Sequence, residues 1–332
     1  MKMIEHIFES FAKKRVLVIG DVMIDAYLVG QVSRISPEAP VPIVDICDRK
    51  YCLGGAANVA LNIAALHAQP ILCSVIGDDE KAGIFFDLMD DKNLDTQAII
   101  KSKQRKTTIK YRVIGNKLQM LRIDEENKHL LNEIEQQCLL QKVKELIDNQ
   151  YLDAIIFEDY DKGVLSRLVI QTIVEWARIN QIPVLVDPKK RNFHNYQGVT
   201  LFKPNLKELK DGLHDEDQPF ALEMVEELMK KFALEYQIRY VFTTLSEKGI
   251  VLYDSENDKF ISQPAYLRKI SDVSGAGDTV ISVATLCMLA GLPIDKTAYI
   301  ANLAGGIVCE YSGVQPIPLQ QLKDEILQHN LL

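Results

Sequence analysis

The sequence lacks several features that would place the protein in particular classes. It contains no apolar run of the roughly 18 residues that a membrane-spanning helix needs. Its first residues, MKMIEHIFESFAKK, are too charged for a secretory signal peptide. Positive charge is in deficit, because 38 Lys and Arg stand against 46 Asp and Glu. That balance argues against a protein that binds nucleic acid by neutralising phosphates. We therefore expect a cytoplasmic protein without membrane or nucleic-acid partners.

The six cysteines form no Cys-x-x-Cys pair. This spacing disfavours both a zinc cluster and a disulfide framework. Most of the cysteines stand in apolar stretches, so we expect them to be buried. The 332 residues allow two domains, or one large α/β domain with a small appendage.

Short β-branched runs alternate with helical runs along most of the chain. Continuous apolar strands followed by helices indicate a parallel sheet that is covered on both faces. We therefore predict a doubly wound, mostly parallel α/β fold. The predicted strands are 15–20, 71–76, 153–157, 183–187, 240–244 and 249–254. The predicted helices are 57–67, 82–90, 133–149, 166–180 and 221–236, with an almost wholly helical chain after Ser271.

One segment interrupts this alternation. Gly115-Asn116, between two β-branched runs, suits the two-residue turn of a tight hairpin. That turn would place on one face Ile109, Tyr111, Val113, Leu118 and Met120, and on the other Lys110, Arg112 and Gln119. An edge hairpin of the main sheet is one interpretation. We favour a small β lid, with elements around 27–50 and 107–123, whose apolar face packs on the body or forms a homodimer.

The segment from Asp272 to Thr279 (DVSGAGDT) precedes an apolar helical run. Its two glycines let backbone N–H groups approach an anion at the start of a helix. Asp278 stands in the first turn of that helix, where a carboxylate is kept ionised and can act as a base. Helix capping alone would also explain a single Asp.

Two further segments carry weaker signals. Gly54 and Gly55 let a ligand approach the backbone, and Asn58 can donate to and accept from a hydroxyl, although a tight turn would explain the glycines equally well. Asn205 and Glu208 stand three residues apart and could hold a hydrated Mg²⁺. The same pair would form a capping box at a helix start, and the sequence leaves both interpretations open.

Together and in this order, these segments resemble the ribokinase-like (PfkB) family of carbohydrate kinases over essentially the whole chain. That family carries a Gly-Gly segment near the N-terminus, an Asn-x-x-Glu motif mid-chain, and a C-terminal Asp-x-x-Gly-Ala-Gly-Asp signature. Val273 and Ser274 fill the variable positions of this signature, where many members have Thr. The resemblance implies a sugar kinase that uses ATP and Mg²⁺, with a monovalent cation as a further candidate cofactor.

Within the family, Gly20–Asp25 (GDVMID) and Ser33–Pro42 (SRISPEAPVP) are similar to the kinase domain of ADP-heptose synthase. Val186–Lys189 (VDPK) and Asp159–Gly163 (DYDKG) fit the same subgroup. That domain phosphorylates D-glycero-D-manno-heptose 7-phosphate at C1, giving the 1,7-bisphosphate for the lipopolysaccharide core. Bifunctional members add a nucleotidyltransferase domain with a His-x-Gly-His motif, which this sequence lacks. We therefore expect a single kinase domain over 1–332, and a separate adenylyltransferase downstream.

The resemblance also implies roles for individual residues. Asp278 would orient the C1 hydroxyl and accept its proton, while the transferred phosphoryl group would be steadied by the amides of Gly275, Ala276 and Gly277. The nucleotide side would comprise Asn205, Leu206, Lys207, Glu208, Ser246 and Gly249, with Asn205 and Glu208 holding Mg²⁺ directly or through water. The sugar side would comprise Asp25, Gly54, Gly55 and Asn58. The candidates for the 7-phosphate, which needs cations, are Arg34, Lys110 and Arg112.

Three alternatives remain open at this point. A kinase for an unphosphorylated sugar or nucleoside would share Asp278 but would not need the cations. A kinase for another sugar phosphate would keep the cations and lack the SRISPEAP run. A non-catalytic sugar or nucleotide sensor could keep the pocket, although an intact Asp278 beside an intact glycine loop counts against it. Fold alone decides none of these.

Overall fold

Strands that are apolar on both faces build the centre of the protein. The computed structural model describes residues 2–149, 151–213 and 221–332. In β1 (Arg15–Gly20), Val16 and Val18 face one apolar core while Leu17 and Ile19 face the other. A strand with two buried faces is what a helix-covered sheet requires, because successive side chains point to opposite sides.

Thirteen strands are described, numbered along the chain, and nine of them form the main sheet. Its order is β13-β12-β11-β10-β9-β8-β1-β4-β5. The neighbours from β5 to β11 pair in parallel, and β12 and β13 add an antiparallel edge. After β1 the strands of this sheet are β4 (Gln69–Gly77), β5 (Ile99–Ser102), β8 (Ala154–Glu158), β9 (Val184–Asp187), β10 (Leu201–Phe202), β11 (Tyr240–Thr244), β12 (Ile250–Asp254) and β13 (Lys259–Gln263).

The remaining strands form a separate four-stranded sheet, the lid. Its order is β3-β2-β6-β7, in which β2 and β6 run parallel and the outer pairs antiparallel. The predicted β lid is therefore confirmed, and the segment is not an edge hairpin of the main sheet. The lid strands are β2 (Val22–Ile35), β3 (Pro42–Gly55), β6 (Ile109–Gly115) and β7 (Leu118–Glu125).

The hairpin turn of the lid lies one residue later than predicted. Asn116 and Lys117 occupy it with φ of 51° and 68°, as a tight turn with both central residues left-handed requires. The Asn116 side chain bonds to the backbone of Val32 on β2, which holds the turn in place. A register shift after Val113 changes the cross-strand partners that the predicted turn would give. The cross-strand partners of Tyr111 and Val113 are Ile123 and Leu121.

Helices cover both faces of the main sheet. Residues of α2, α8 and α9 lie in the core with Val16, and those of α4, α5 and α7 lie in the core with Leu17. Within the described ranges, no helix has the length and apolar character needed to cross a membrane. The helices are α1 (Lys2–Phe11), α2 (Ala56–Ala65), α3 (Glu80–Asp91), α4 (Glu133–Asn149), α5 (Arg167–Ile179), α6 (Leu206–Leu213), α7 (Leu222–Tyr236), α8 (Ala276–Leu289), α9 (Ile294–Val308) and α10 (Leu319–Gln328).

The predicted doubly wound α/β fold is confirmed, and every predicted strand and helix has its counterpart. The sequence patterns missed β5, β10 and β13, which are short or lie at an edge of the sheet. The expectation that the cysteines are buried holds for Cys73 and Cys287. It is wrong for Cys47 and Cys138, which are exposed. Cys47 lies on lid strand β3, within the run 45–50 in which every residue is exposed.

Candidate active site

The candidate site lies where the order of the main sheet changes direction around β1. Three acidic residues stand at the carboxyl ends of adjacent strands: Asp21 just after β1, Glu158 at the end of β8, and Asp187 at the end of β9. Open α/β sheets bind their ligands at this edge. The lid strand β2 begins directly after Asp21, so the lid stands over the same edge.

Asp278 enters the site from the first turn of α8. The helix starts after Gly275, which has a left-handed φ of 81°, as the chain reversal requires. Oδ2 of Asp278 accepts a 2.7 Å hydrogen bond from Asn58 Nδ2, and Oδ1 accepts a 2.9 Å bond from the Tyr160 hydroxyl. Because these partners lie on other elements, capping of α8 does not account for Asp278.

Burial determines the charge state of Asp278. Asp278 is only 4% exposed. Desolvation raises the pKa of its carboxyl to about 6, and the Asp187 charge acts in the same direction. The bonds from Asn58 and Tyr160 and the Lys203 charge oppose this rise in pKa. The carboxylate is thus ionised near neutral pH and is a stronger base than an exposed aspartate.

A buried group of acids and lysines surrounds Asp278. One oxygen from each of Glu158, Asp187 and Asp278 lies within 4.8 Å of the others. Lys203 Nζ is 2.6 Å from Asp187 Oδ2 and supplies compensating charge. Neither oxygen of Glu158 has a hydrogen-bond partner among the described residues. Burial, and after it the charges of Asp187 and Asp278, raise the pKa of Glu158 well above its usual range.

On the sugar side, Asp25 is buried on β2 and forms an ion pair with Arg112 of β6. The Arg112 guanidinium also lies 5.3 Å from the centroid of the Tyr27 ring. At Gly54 a Cβ atom would stand 2.4 Å from Asp25 Oδ2, and at Gly55, with φ of 61°, it would stand 2.4 Å from the Asp21 carbonyl oxygen. The tight packing of the chain itself therefore requires both glycines.

The three predicted phosphate-binding cations are not all together. Lys110 pairs in register with Asp25, two residues before Arg112, so all three side chains share one face of the lid. Burial and the nearby Lys162 ammonium lower the pKa of Lys110. Arg34 lies nine residues beyond Asp25 on β2, up to about 30 Å away along an extended strand. Its side chain is 66% exposed and 4.0 Å from Asp45, so this chain does not bring it to the others.

A cleft of about 380 Å³ opens beside α8. Its walls include the predicted residues Ser246, Gly249, Ala276 and Gly277, together with Ile250, Tyr266 and Val280. Gly249 has a φ of 93°, and a Cβ there would meet the Gln263 carbonyl oxygen at 2.0 Å. The apolar walls suit a nucleotide base, and the start of α8 faces the end where phosphates would lie. Of the other predicted nucleotide residues, Leu206 packs against a core and Lys207 is exposed.

Asn205 and Glu208 form a complete capping box at the start of α6. The Asn205 amide donates to Glu208 Oε2 at 2.9 Å, and the Glu208 amide donates to Asn205 Oδ1 at 2.8 Å. Oε1 of Glu208 is ion-paired with Lys189. A carboxylate and an amide oxygen are donors that Mg²⁺ accepts, and because both Glu208 oxygens are engaged, contact through water fits this arrangement best.

Sequence reasoning missed several residues around Asp278. The sequence analysis assigned no role to Glu158, Tyr160, Asp187 or Lys203, although Tyr160 lies in the DYDKG motif and Asp187 in the VDPK motif. A usable signal was available, because a polar residue directly after a buried parallel strand lies at the ligand-binding edge. The contact between Tyr160 and Asp278 has no such signal, since it joins residues 118 positions apart.

Comparisons with known proteins give matches in both sequence and fold. The sequence profile of the "pfkB family carbohydrate kinase" matches residues 13–321. The chain is 39% identical to the bifunctional protein HldE of Methylobacillus flagellatus over 94% of its own length and 63% of that protein. It is 37% identical to HldE of Helicobacter pylori over 93% of its length and 65% of that protein. The chain thus spans somewhat less than two thirds of these relatives.

Among solved structures, phosphofructokinase-2 of Escherichia coli in complex with potassium superposes with a TM-score of 0.78. The match covers 95% of this chain and 98% of that one, at 17% sequence identity. At that identity the likeness establishes the fold.

Proposed function

The chain belongs to the pfkB family of carbohydrate kinases and is a sugar kinase, and on this premise we propose that it phosphorylates D-glycero-D-manno-heptose 7-phosphate at C1. ATP is the phosphoryl donor. The product is the 1,7-bisphosphate, an intermediate for ADP-heptose and the lipopolysaccharide core. The relatives named HldE support this acceptor.

Asp278 acts as the general base. The C1 oxygen attacks the γ-phosphorus of ATP, the new O–P bond forms, and the bond to the ADP oxygen breaks. The hydroxyl proton passes to Asp278, which is buried and ionised. Asn58 holds Oδ2 of this carboxylate, and the amides at the start of α8 steady the charge on the transferred group. Positioning and charge stabilisation provide most of the catalysis in such transfers.

A bound Mg²⁺ would neutralise the phosphates of ATP. We assign it to Asn205 and Glu208, in contact through water. A monovalent cation is a further candidate cofactor, in keeping with the potassium in the phosphofructokinase-2 structure. Because the reaction consumes ATP, we place it in the cytoplasm. A homodimer formed through the lid, and an adenylyltransferase activity acting on the product, also stay predictions.

The observation that carries the choice of a phosphorylated acceptor is the Lys110 ammonium on the lid face above the site. Burial, and after it the nearby Lys162, lower the pKa of Lys110, although Asp124, Glu126 and Asp25 oppose this shift, and Lys162 itself is ion-paired with Glu126 at 2.8 Å. A phosphate beside Lys110 would stabilise its charge. Arg112 stands on the same lid face, with Asp25 as its partner, so sugar hydroxyls and a phosphate could be held side by side.

The test is an ADP-release assay over heptose and hexose phosphates and their free sugars. We expect the heptose 7-phosphate to give the highest kcat/KM. Lys110→Met should reduce kcat/KM for the phosphorylated sugar about 10- to 150-fold, the range for one charge-assisted contact. The control is Lys117→Met, at the exposed tip of the same hairpin. Efficient turnover of free sugars by the unmodified protein would overturn the proposal in favour of an unphosphorylated acceptor.

A further inference from the structure

The turn Asp159–Gly163 has no part in the reaction described so far, yet it places a phenol on the catalytic base. The Tyr160 hydroxyl donates to Asp278 Oδ1 at 2.9 Å. Asn58 Nδ2 donates to the other oxygen, Oδ2. Each oxygen keeps a second lone pair, so Asp278 can still accept the proton of a sugar hydroxyl.

The turn is built to hold Tyr160 in this position. The Asp21 carboxylate is 1% exposed and accepts 3.0 Å bonds from the amides of Tyr160, Lys162 and Val164. Gly163 has a φ of 96°, and a Cβ there would stand 2.0 Å from the His129 carbonyl oxygen. Burial removes the Asp21 carboxylate from water, and the three amide donors compensate for that loss. The same three bonds fix the backbone of the turn.

Ionisable groups face Asp278 from several elements. A neutral donor such as the Tyr160 hydroxyl stabilises the Asp278 carboxylate without adding another charge. Glu158 and Asp187 face Asp278 from β8 and β9, and Lys203 faces it from the segment after β10. The Lys189 ammonium lies 5.2 Å from the centroid of the Tyr160 ring. Burial and the Asp278 charge raise the pKa of Tyr160 well above its usual range, so the phenol stays protonated and acts as a donor. It cannot compete with Asp278 for the proton of the sugar.

We propose that Tyr160 is a positioning residue of the phosphoryl transfer, whose phenol keeps the Asp278 carboxylate ionised and oriented toward the acceptor hydroxyl. This inference rests on the proposed kinase function but not on which sugar is the acceptor. The proton moves from the acceptor to Asp278, and Tyr160 gains and loses none.

The experiment compares Tyr160→Phe with the unmodified protein, using the best acceptor from the panel and saturating MgATP. Removing a hydrogen bond to the charged form raises the pKa of a carboxyl by about 1–2 units. The acid limb of the kcat–pH profile should move up by that amount. At pH 7 kcat should fall roughly two- to tenfold, with recovery toward pH 9, while KM for ATP stays the same.

A second measurement does not depend on turnover. The Asp278 carboxyl can be titrated by NMR in protein labelled with ¹³C at the aspartate carboxyl, its signal being assigned by its loss in Asp278→Asn. The same upward shift is expected in Tyr160→Phe. The matched control is Tyr253→Phe, which removes a 2.9 Å bond from a tyrosine hydroxyl to Asp258 far from the site and should leave both titrations unmoved.

An unshifted Asp278 titration, or a kcat loss of equal size at every pH, would overturn the role of Tyr160. A change confined to the sugar KM would also overturn it, because the ring would then only shape the pocket. If no acceptor is phosphorylated by the unmodified protein, the kinase proposal fails, and the NMR titration still reports whether Tyr160 controls the charge of Asp278.

Discussion

At the scale of single residues, the site depends on one carboxylate that keeps its charge inside the protein. Asp278 is 4% exposed, and burial moves its pKa to about 6. Asn58, Tyr160 and Lys203 keep the pKa from rising further. A base with a pKa near the working pH is both ionised and able to accept a proton, which suits general-base catalysis.

Asp278→Asn tests this role directly. Asn is nearly isosteric and cannot accept the proton, so kcat should fall by about 10²–10⁴-fold. ATP binding, measured by calorimetry, should persist because the cleft is unchanged. A variant with near-normal kcat would remove Asp278 from the mechanism.

The same variant should change the pH dependence of stability. A carboxyl whose folded pKa lies above its unfolded value of 3.8 stabilises the fold most below that value, and the advantage is lost as pH rises through about 6. Asp278→Asn should therefore gain on the order of 1–3 kcal/mol at pH 8 relative to its effect at pH 4. Urea unfolding of both proteins at the two pH values measures this difference. An equal effect at both would show that burial does not strain the native carboxylate.

At the scale of secondary structure, the N-terminus of α6 carries a capping box at the same residues to which we assign the Mg²⁺ contact. Asn205 and Glu208 complete the capping box, and Glu208 also pairs with Lys189. The two interpretations left open by the sequence are therefore compatible. The hydrogen bonds of the capping box leave the Glu208 carboxylate charged, so it would still attract a hydrated Mg²⁺.

Glu208→Gln separates these roles. Gln can still accept from the Asn205 amide, so the capping box persists, whereas the negative charge and the ion pair with Lys189 are lost. We expect the Mg²⁺ concentration for half-maximal activity to rise several-fold, with a stability loss of about 1 kcal/mol. Melting and the Mg²⁺ titration must be recorded on the same preparation. Glu223→Gln, in the first turn of α7, is the control, and an unmoved titration in Glu208→Gln would leave only the capping role.

At the scale of the whole molecule, the lid leaves several large apolar side chains exposed to solvent. Side chains exposed by 42–68% lie on the lid strands and their connection, namely Ile35, Val41, Ile46, Leu118, Met120, Leu121 and Ile123. Large apolar side chains exposed together on one sheet are typical of association surfaces. A two-fold pairing of lids would cover them, and it is the commonest closed arrangement.

Leu121→Asp tests the lid dimer. A charge in the centre of an apolar interface should shift the protein to a monomer in light scattering coupled to size-exclusion chromatography. Leu168→Asp, on the exposed side of α5 and 60% exposed, should leave the mass unchanged. An unmodified protein that is already monomeric at micromolar concentration would exclude the lid dimer.

Much of the architecture follows from local sequence patterns. Apolar runs such as 153–157 and 240–244 predict strands because burial on both faces leaves no polar alternation. The lid was predicted because β-branched runs stood where a helix was due. The register of the lid hairpin was not predicted. The position of its turn depends on the hydrogen bond between the Asn116 side chain and Val32, which lies on a strand distant in the sequence.

The parallel α/β class, the glycine loop before Asp278 and the spacing of Asn205 and Glu208 can be predicted from the sequence alone, because each rests on residues a few positions apart. How Asp278 is held depends on the tertiary structure. Its partners Asn58 and Tyr160 are 220 and 118 positions away. It also separated Arg34 from Asp25 while bringing Lys110 and Arg112 to it. Burial, and with it the charge of a carboxyl, depends on every element packed around it, and no local pattern contains that information.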